Sequence, residues 1–178
     1  LVQFAQMGSI YFENVIGKKH PTVGLLNIGT EEEKGNQLVK ETHPLLKECS
    51  TINYIGSIES REIVRGAADV IVCEAFAGNI VLKFFEGLAL TLFDSLKQGL
   101  MSSLRTKIGT ILIKPALKGL KKQFDTSSQG GAPLLGLKGL VVKAHGNSTE
   151  KEIEIAIKQC ISFKKQKINE KIKESICE

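Results

Sequence analysis

Short apolar runs, each closed by a turn and followed by a helical pattern, constrain this chain more than any other feature. Residues 23–28 are the first run, entered from Pro21. Gly29-Thr30 follow, and Thr30 with Glu33 has the spacing of a capping box, so a helix is predicted over 31–48. Residues 52–55 predict a second strand, Gly56-Ser57 its turn, and 59–65 a short helix ended by Gly66. Residues 68–73 predict a third strand, apolar apart from Asp69, with a loop over 74–79 and a long helix from near Ile80. Residues 139–144 predict a fourth strand, His145-Gly146-Asn147 its turn, and Thr149 with Glu152 a second capping box. Ahead of them all, Phe4, Met7, Tyr11 and Val15 have helical spacing, with a stop at Gly17. Strands that alternate with helices and are apolar on both faces predict an α/β fold: a mostly parallel sheet flanked by helices. In such sheets ligands bind outside the carboxyl ends of the strands.

The middle of the chain breaks this rhythm. Val81, Phe85, Leu88, Leu92, Leu96, Leu100 and Leu104 form one helical stripe, and Phe84 and Phe93 lie off it. A break near Gly109 and Pro115 near the start of a second helix predict a long-helix hairpin over 80–124, projecting from the sheet domain. No acidic residue stands between Asp94 and Asp125, whereas Lys97, Arg105, Lys107, Lys114, Lys118, Lys121 and Lys122 do. Leu100, Leu104, Lys107, Ile111, Leu112, Ile113 and Lys114 are therefore candidates for a dimer interface, an anionic membrane surface, or both. Residues 164–178 alternate Lys and Glu with sparse isoleucines and read as a solvated helical tail, leaving 1–163 as the domain.

Composition narrows the class. With 42% hydrophobic and 24% charged residues the chain can build a core, so disorder is not expected away from its ends. Cys49, Cys73, Cys160 and Cys177 form no CxxC pair, which suits reduced thiols in a cytosolic protein and no metal site. No apolar run approaches the roughly 18 residues of a membrane-spanning helix, and none is predicted. The chain opens at Leu1 inside what reads as an amphipathic helix, which suggests a piece of a longer protein.

Four segments at predicted strand ends carry the candidate chemistry. In 27–36, Asn27, Gly29 and Lys34 stand where a strand runs into a helix start and free amides favour anions, although a plain turn glycine would look the same. In 74–79 and beyond, Glu74, Gly78, Asn79, Lys83 and Glu86 combine a carboxylate, an amide and an ammonium suited to phosphate, or to capping and a surface ion pair. Ser127, Gly130 and Gly131 offer hydroxyls and close backbone approach, or an irregular connection. His145, followed by Gly146, can donate to a phosphate or act as a general acid or base. His20 and His43 read as surface residues.

The joint set is recognisable. Val-Gly-Leu-Leu-Asn-Ile-Gly at 23–29 with Lys34-Gly35-Asn36, then 68–73 with Gly78-Asn79, then Gly130-Gly131-Ala132-Pro133-Leu134-Leu135-Gly136 and Lys143-Ala144-His145-Gly146, resembles the bacterial phosphate acyltransferase family of phospholipid synthesis. The resemblance runs from Leu1 to about Phe163, the C-terminal portion of such enzymes. It implies transfer of a fatty acyl group from acyl carrier protein to inorganic phosphate, giving acyl phosphate. It implies a fold similar to the isopropylmalate dehydrogenase and phosphotransacetylase group. It also implies a homodimer that associates peripherally with the membrane. A cytoplasmic chain with no cofactor, metal or nucleic-acid partner is expected. On this reading His145, Lys83 and Asn79 are the catalytic candidates. The chain departs from the family in carrying Glu74-Ala75 where Asp-Gly is usual, which keeps a carboxylate and loses a flexible position. The family also carries about a further domain's worth of residues at the N-terminus. Two alternatives stand beside it: a phosphotransacetylase-like or dehydrogenase-like enzyme of the same fold group, and a dimerising, membrane-docking module without activity.

Overall fold

A computed structural model describes residues 1–123 and 130–176. Helix α1 (Val2–Tyr11) runs into a π-helical segment, Phe12–Ile16, and ends at Gly17, as its sequence pattern predicts. Strand β1 (Thr22–Asn27) is the centre of a three-stranded parallel sheet of order β2-β1-β3, with β2 (Asn53–Glu59) and β3 (Val70–Val72) on its flanks. Helix α2 (Gln37–Glu48) joins β1 to β2 and the short α3 (Ser60–Ile63) joins β2 to β3. Val23, Leu25 and Val72 from the sheet, Ala5 from α1 and Leu46 from α2 make one buried core. The α/β class and its parallel sheet match the sequence pattern.

Several local expectations are corrected. Thr30 and Glu33 do not cap a helix: residues 28–36 are a loop, and α2 starts six residues later than predicted. Gly35, at φ +103°, breaks the helical path, and the Asn36 side chain accepts from the Val39 amide at 2.9 Å instead. Nor does β2 stop at Gly56-Ser57. Val23 pairs with Tyr54 but Leu25 with Ser57, so β2 carries an extra residue, and Gly56 at φ +101° accommodates the bulge. The third strand is fixed at its entry by Asp69. Its carboxylate accepts from the Thr22 amide (2.8 Å) and hydroxyl (2.9 Å) and pairs with Lys18 at 2.7 Å. These donors hold the Asp69 carboxyl down at about 2.

The predicted fourth parallel strand is not in this sheet. Strand β5 (Val142–Lys143) pairs antiparallel with β4 (Ala132–Pro133) in a separate ribbon. Helix α6 (Glu150–Lys165) follows, with the Thr149–Glu152 capping box formed. The predicted solvated tail is also corrected. Helix α7 (Ile168–Ile176) buries Ile168 and Ile172 against Met7 and Phe163, because isoleucines four apart share one helical face.

A second unit comprises α4 (Ala75–Leu100) and α5 (Leu104–Gln123), which pack on each other as a hairpin. The break falls at 101–103, not near Gly109. There the Ser103 side chain accepts from the Thr106 amide at 3.2 Å and the Thr106 hydroxyl accepts from the Ser103 amide at 3.1 Å, capping α5. Leu104 therefore begins α5 rather than ending the stripe of α4, and Pro115 lies well inside α5. By length and composition α4 can cross a membrane. The sequence reading missed this because Lys83, Glu86, Asp94 and Lys97 interrupt its apolar runs.

Candidate functional site

The carboxyl end of β1 opens into loop 28–36, and the structure turns Asn27 inward there. Asn27 is buried. Its Oδ1 accepts from the Ile28 amide (2.8 Å), and its Nδ2 donates to the Lys34 carbonyl (3.1 Å) and to Ser57 Oγ (3.3 Å). It thus clamps the loop at both ends rather than reaching for a ligand. Gly35 fits against this clamp: a Cβ there would lie 2.5 Å from Asn27 Oδ1. Lys34 is paired with Glu31 at 2.6 Å, which raises the ammonium and lowers the carboxyl. Both are exposed, so an anion competes for Lys34 against one carboxylate in high dielectric, where such a pair is weak. Glu32 turns away to α2, its Oε1 3.2 Å from Lys47 Nζ and 3.3 Å from His43 Nε2. Two of the three glutamates that would repel an anion from this loop are thereby tied to cations or to an imidazole. Gly29 sits against the Glu31 and Lys34 side chains.

At the end of β3, burial and then Glu74 push the Cys73 thiol up, which disfavours a nucleophilic thiolate. Glu74 is half-buried and closes the sheet unit. Gly78 and Asn79 do not precede the long helix as predicted. Helix α4 already begins at Ala75, so both lie inside its start. Lys83 and Glu86 form the expected pair at 3.8 Å, both exposed.

The Gly-rich segment behaves differently from its ligand-approach reading. A Cβ on Gly130, at φ +70°, would meet the Ala156 amide nitrogen at 2.7 Å and the Glu152 carbonyl at 2.8 Å. One on Gly131 would meet the Lys143 carbonyl at 2.8 Å. Gly130 thus seats the segment against α6, and Gly131 lets it approach β5. Ser127 lies outside the described residues. His145 is exposed at the end of β5, where its Nδ1 accepts from the Asn147 amide at 3.2 Å. That bond places the neutral ring's proton on Nε2. Gly146 beside it has open space around its α-carbon.

His43, read from sequence as a surface residue, is the functional candidate that reading missed. Its side chain is only 12% exposed, and its Nδ1 lies 2.8 Å from the Tyr54 hydroxyl. The one sequence signal was its place beside Val39, Thr42 and Leu46, on the side of α2 that faces the sheet.

Over residues 1–171 the chain matches the family described as "Fatty acid synthesis protein". The chain belongs to the fatty acid synthesis protein family. Within it, the chain is 53% identical over 176 residues to a phosphate acyltransferase of Clostridium novyi, covering 99% of this chain and 53% of that protein. It is 52% identical over 172 residues to one of Clostridium acetobutylicum, covering 97% of this chain and 52% of that protein. It is 51% identical over 176 residues to one of Brevibacillus brevis, covering 99% and 52%. The chain spans about half the length of the curated relatives it matches. The family membership agrees with the resemblance carried by 23–36, 68–79, 130–136 and 143–146.

Proposed function

We propose that this chain supplies part of the active site of a phosphate acyltransferase, which moves a fatty acyl group from acyl carrier protein to inorganic phosphate. The observation that carries the reading is loop 28–36 at the carboxyl end of the central strand. It is clamped by a buried Asn27, and it presents Lys34 in an exposed, exchangeable ion pair. Its support from outside the structure is the shared name of relatives about half identical to the chain.

The chemistry needs no protein nucleophile. A phosphate oxygen attacks the thioester carbonyl and forms the new C–O bond. The oxyanion collapses, the C–S bond breaks, and the carrier thiolate leaves to take a proton. The protein has to hold phosphate, orient it and stabilise the oxyanion. Lys34 and the amides of the loop suit the first task. His145, with its proton on Nε2, suits a donor to the oxyanion or to the departing sulfur.

The hairpin favours a second, compatible role. None of the described residues 75–120 is buried, and Leu104, Ile111 and Leu112 stand exposed beside Arg105, Lys107 and Lys114. This surface suits a homodimer contact and peripheral attachment to an anionic membrane from the cytoplasm, with α4 lying on the bilayer rather than crossing it.

The test is a chimera in which this chain replaces the matching half of the Clostridium novyi relative. It is expected to release carrier thiol in a phosphate-dependent manner and to form acyl phosphate that hydroxylamine traps. A folded chimera without that activity contradicts the proposal. In the same protein His145→Ala is expected to cost about a hundredfold in turnover, and near-normal turnover removes His145 as a catalytic candidate.

A further inference from the structure

Loop 28–36 has no helix or ladder of its own, so side chains must fix it. From the sheet side Asn27 holds both of its ends, at Ile28 and Lys34. From the helix side Glu32 reaches α2, beside Lys47 and His43. Both anchors lead back to β2. Asn27 Nδ2 donates to Ser57 Oγ at 3.3 Å, and Tyr54 Oη, on the same strand, lies 2.8 Å from His43 Nδ1. The Tyr54 and His43 rings meet edge-on with centroids 5.5 Å apart. This set of contacts meets again in the loop itself, where Glu32 and the Lys34 carbonyl lie two residues apart.

Asn27 can only donate from Nδ2. Tyr54 keeps a proton to donate, because burial pushes its hydroxyl up to about 12. With that proton given to His43 Nδ1, the imidazole proton stands on Nε2, facing Glu32. Three members, Asn27, Ser57 and His43, are buried or nearly so, whereas Glu32 is exposed. His43 Nε2 is buried without a well-aligned hydrogen bond, and Glu32 Oε1 stands 3.3 Å away. A buried donor of this kind is costly until an acceptor aligns with it, and the Glu32 carboxylate stands beside it.

We propose that Tyr54 and His43 are positioning residues that hold loop 28–36, and with it Lys34 and the amides around Gly29, in the conformation that receives phosphate. This rests on the phosphate reading of that loop. Neither residue need touch substrate.

Two variants of the 178-residue chain test it. Tyr54→Phe removes one buried hydroxyl. Glu32→Gln alters the exposed end of this set of contacts, at His43 and Lys47, and removes no buried group. Hydrogen–deuterium exchange is followed for both and for the unaltered chain, with and without inorganic phosphate. In both variants the amides of 28–36 are expected to exchange about tenfold faster, the equivalent of one hydrogen bond, while α2 and β1 keep their rates. Phosphate affinity is expected to fall by a similar factor. Unchanged loop exchange in both variants overturns the proposal. So does acceleration spread equally through α2 and β1, which is what a purely structural role gives. If phosphate leaves the unaltered loop unaffected but both variants still free it, the phosphate reading fails and the positioning role stands.

Discussion

The sheet unit and the α4–α5 hairpin use the same apolar residue types to opposite ends. In the first, Leu25 and Leu46 are wholly excluded from water among Ala5, Val23 and Val72. In the second, Leu104 and Leu112 are more than three-quarters exposed, and no described residue of 75–120 is buried. A helix that is apolar on several sides is stable only against something else. The sheet unit thus carries its own core, whereas the hairpin leaves its apolar side chains exposed, as interaction sites do.

The largest effect that can break this comparison is truncation. Leu25→Ala is expected to cost about 3 kcal/mol in denaturant unfolding, and Leu112→Ala less than about 0.5 kcal/mol. Equal costs would mean that Leu112 is packed after all. Glycines sharpen the same contrast. Gly130→Ala forces a Cβ onto α6 at positive φ and is expected to lose about 2 kcal/mol. Gly109→Ala, with open space beside it, should gain up to about 1 kcal/mol for the free chain. A loss at Gly109 that appears only at high protein concentration would reveal a second copy packed there.

Smaller effects address the hairpin's charge and the sheet's edge. Lys107→Ala and Lys114→Ala are each expected to weaken sedimentation with anionic vesicles by about 1 kcal/mol, and high salt should abolish the difference. The smallest effect belongs to Asp69. Because its carboxyl is lowered to about 2 in the folded chain from an ordinary 3.8, its contribution is complete above the ordinary value and is lost as pH falls towards 2. Asp69→Asn should flatten acid unfolding in that window, measured by circular dichroism.

What was legible in the sequence was local. The Thr149–Glu152 box, the stop at Gly17 and the Lys83–Glu86 pair all depend on neighbours within four residues, and all formed. The misreadings came where a local signal had a competitor or a distant partner. Thr30 and Glu33 spelled a capping box, but Gly35 and Asn36 placed a better start just beyond it. Gly56 read as a turn because a bulge and a turn both call for positive φ. Residues 139–144 looked like a parallel strand, since so short a run does not encode the partner it pairs with. At the candidate site the strand-end position of Asn27, Gly29 and Lys34 was readable. The inward turn of Asn27 and the link from His43 to Tyr54 were not, because they join residues 30 and 11 positions apart across the fold.

Whether loop 28–36 receives phosphate is read from the amide chemical shifts of the chain titrated with inorganic phosphate. Phosphate held by the loop gives saturable shifts in 28–36, largest near Gly29 and Lys34. Shifts confined to the lysines of α5, or none that saturate, would contradict phosphate binding there.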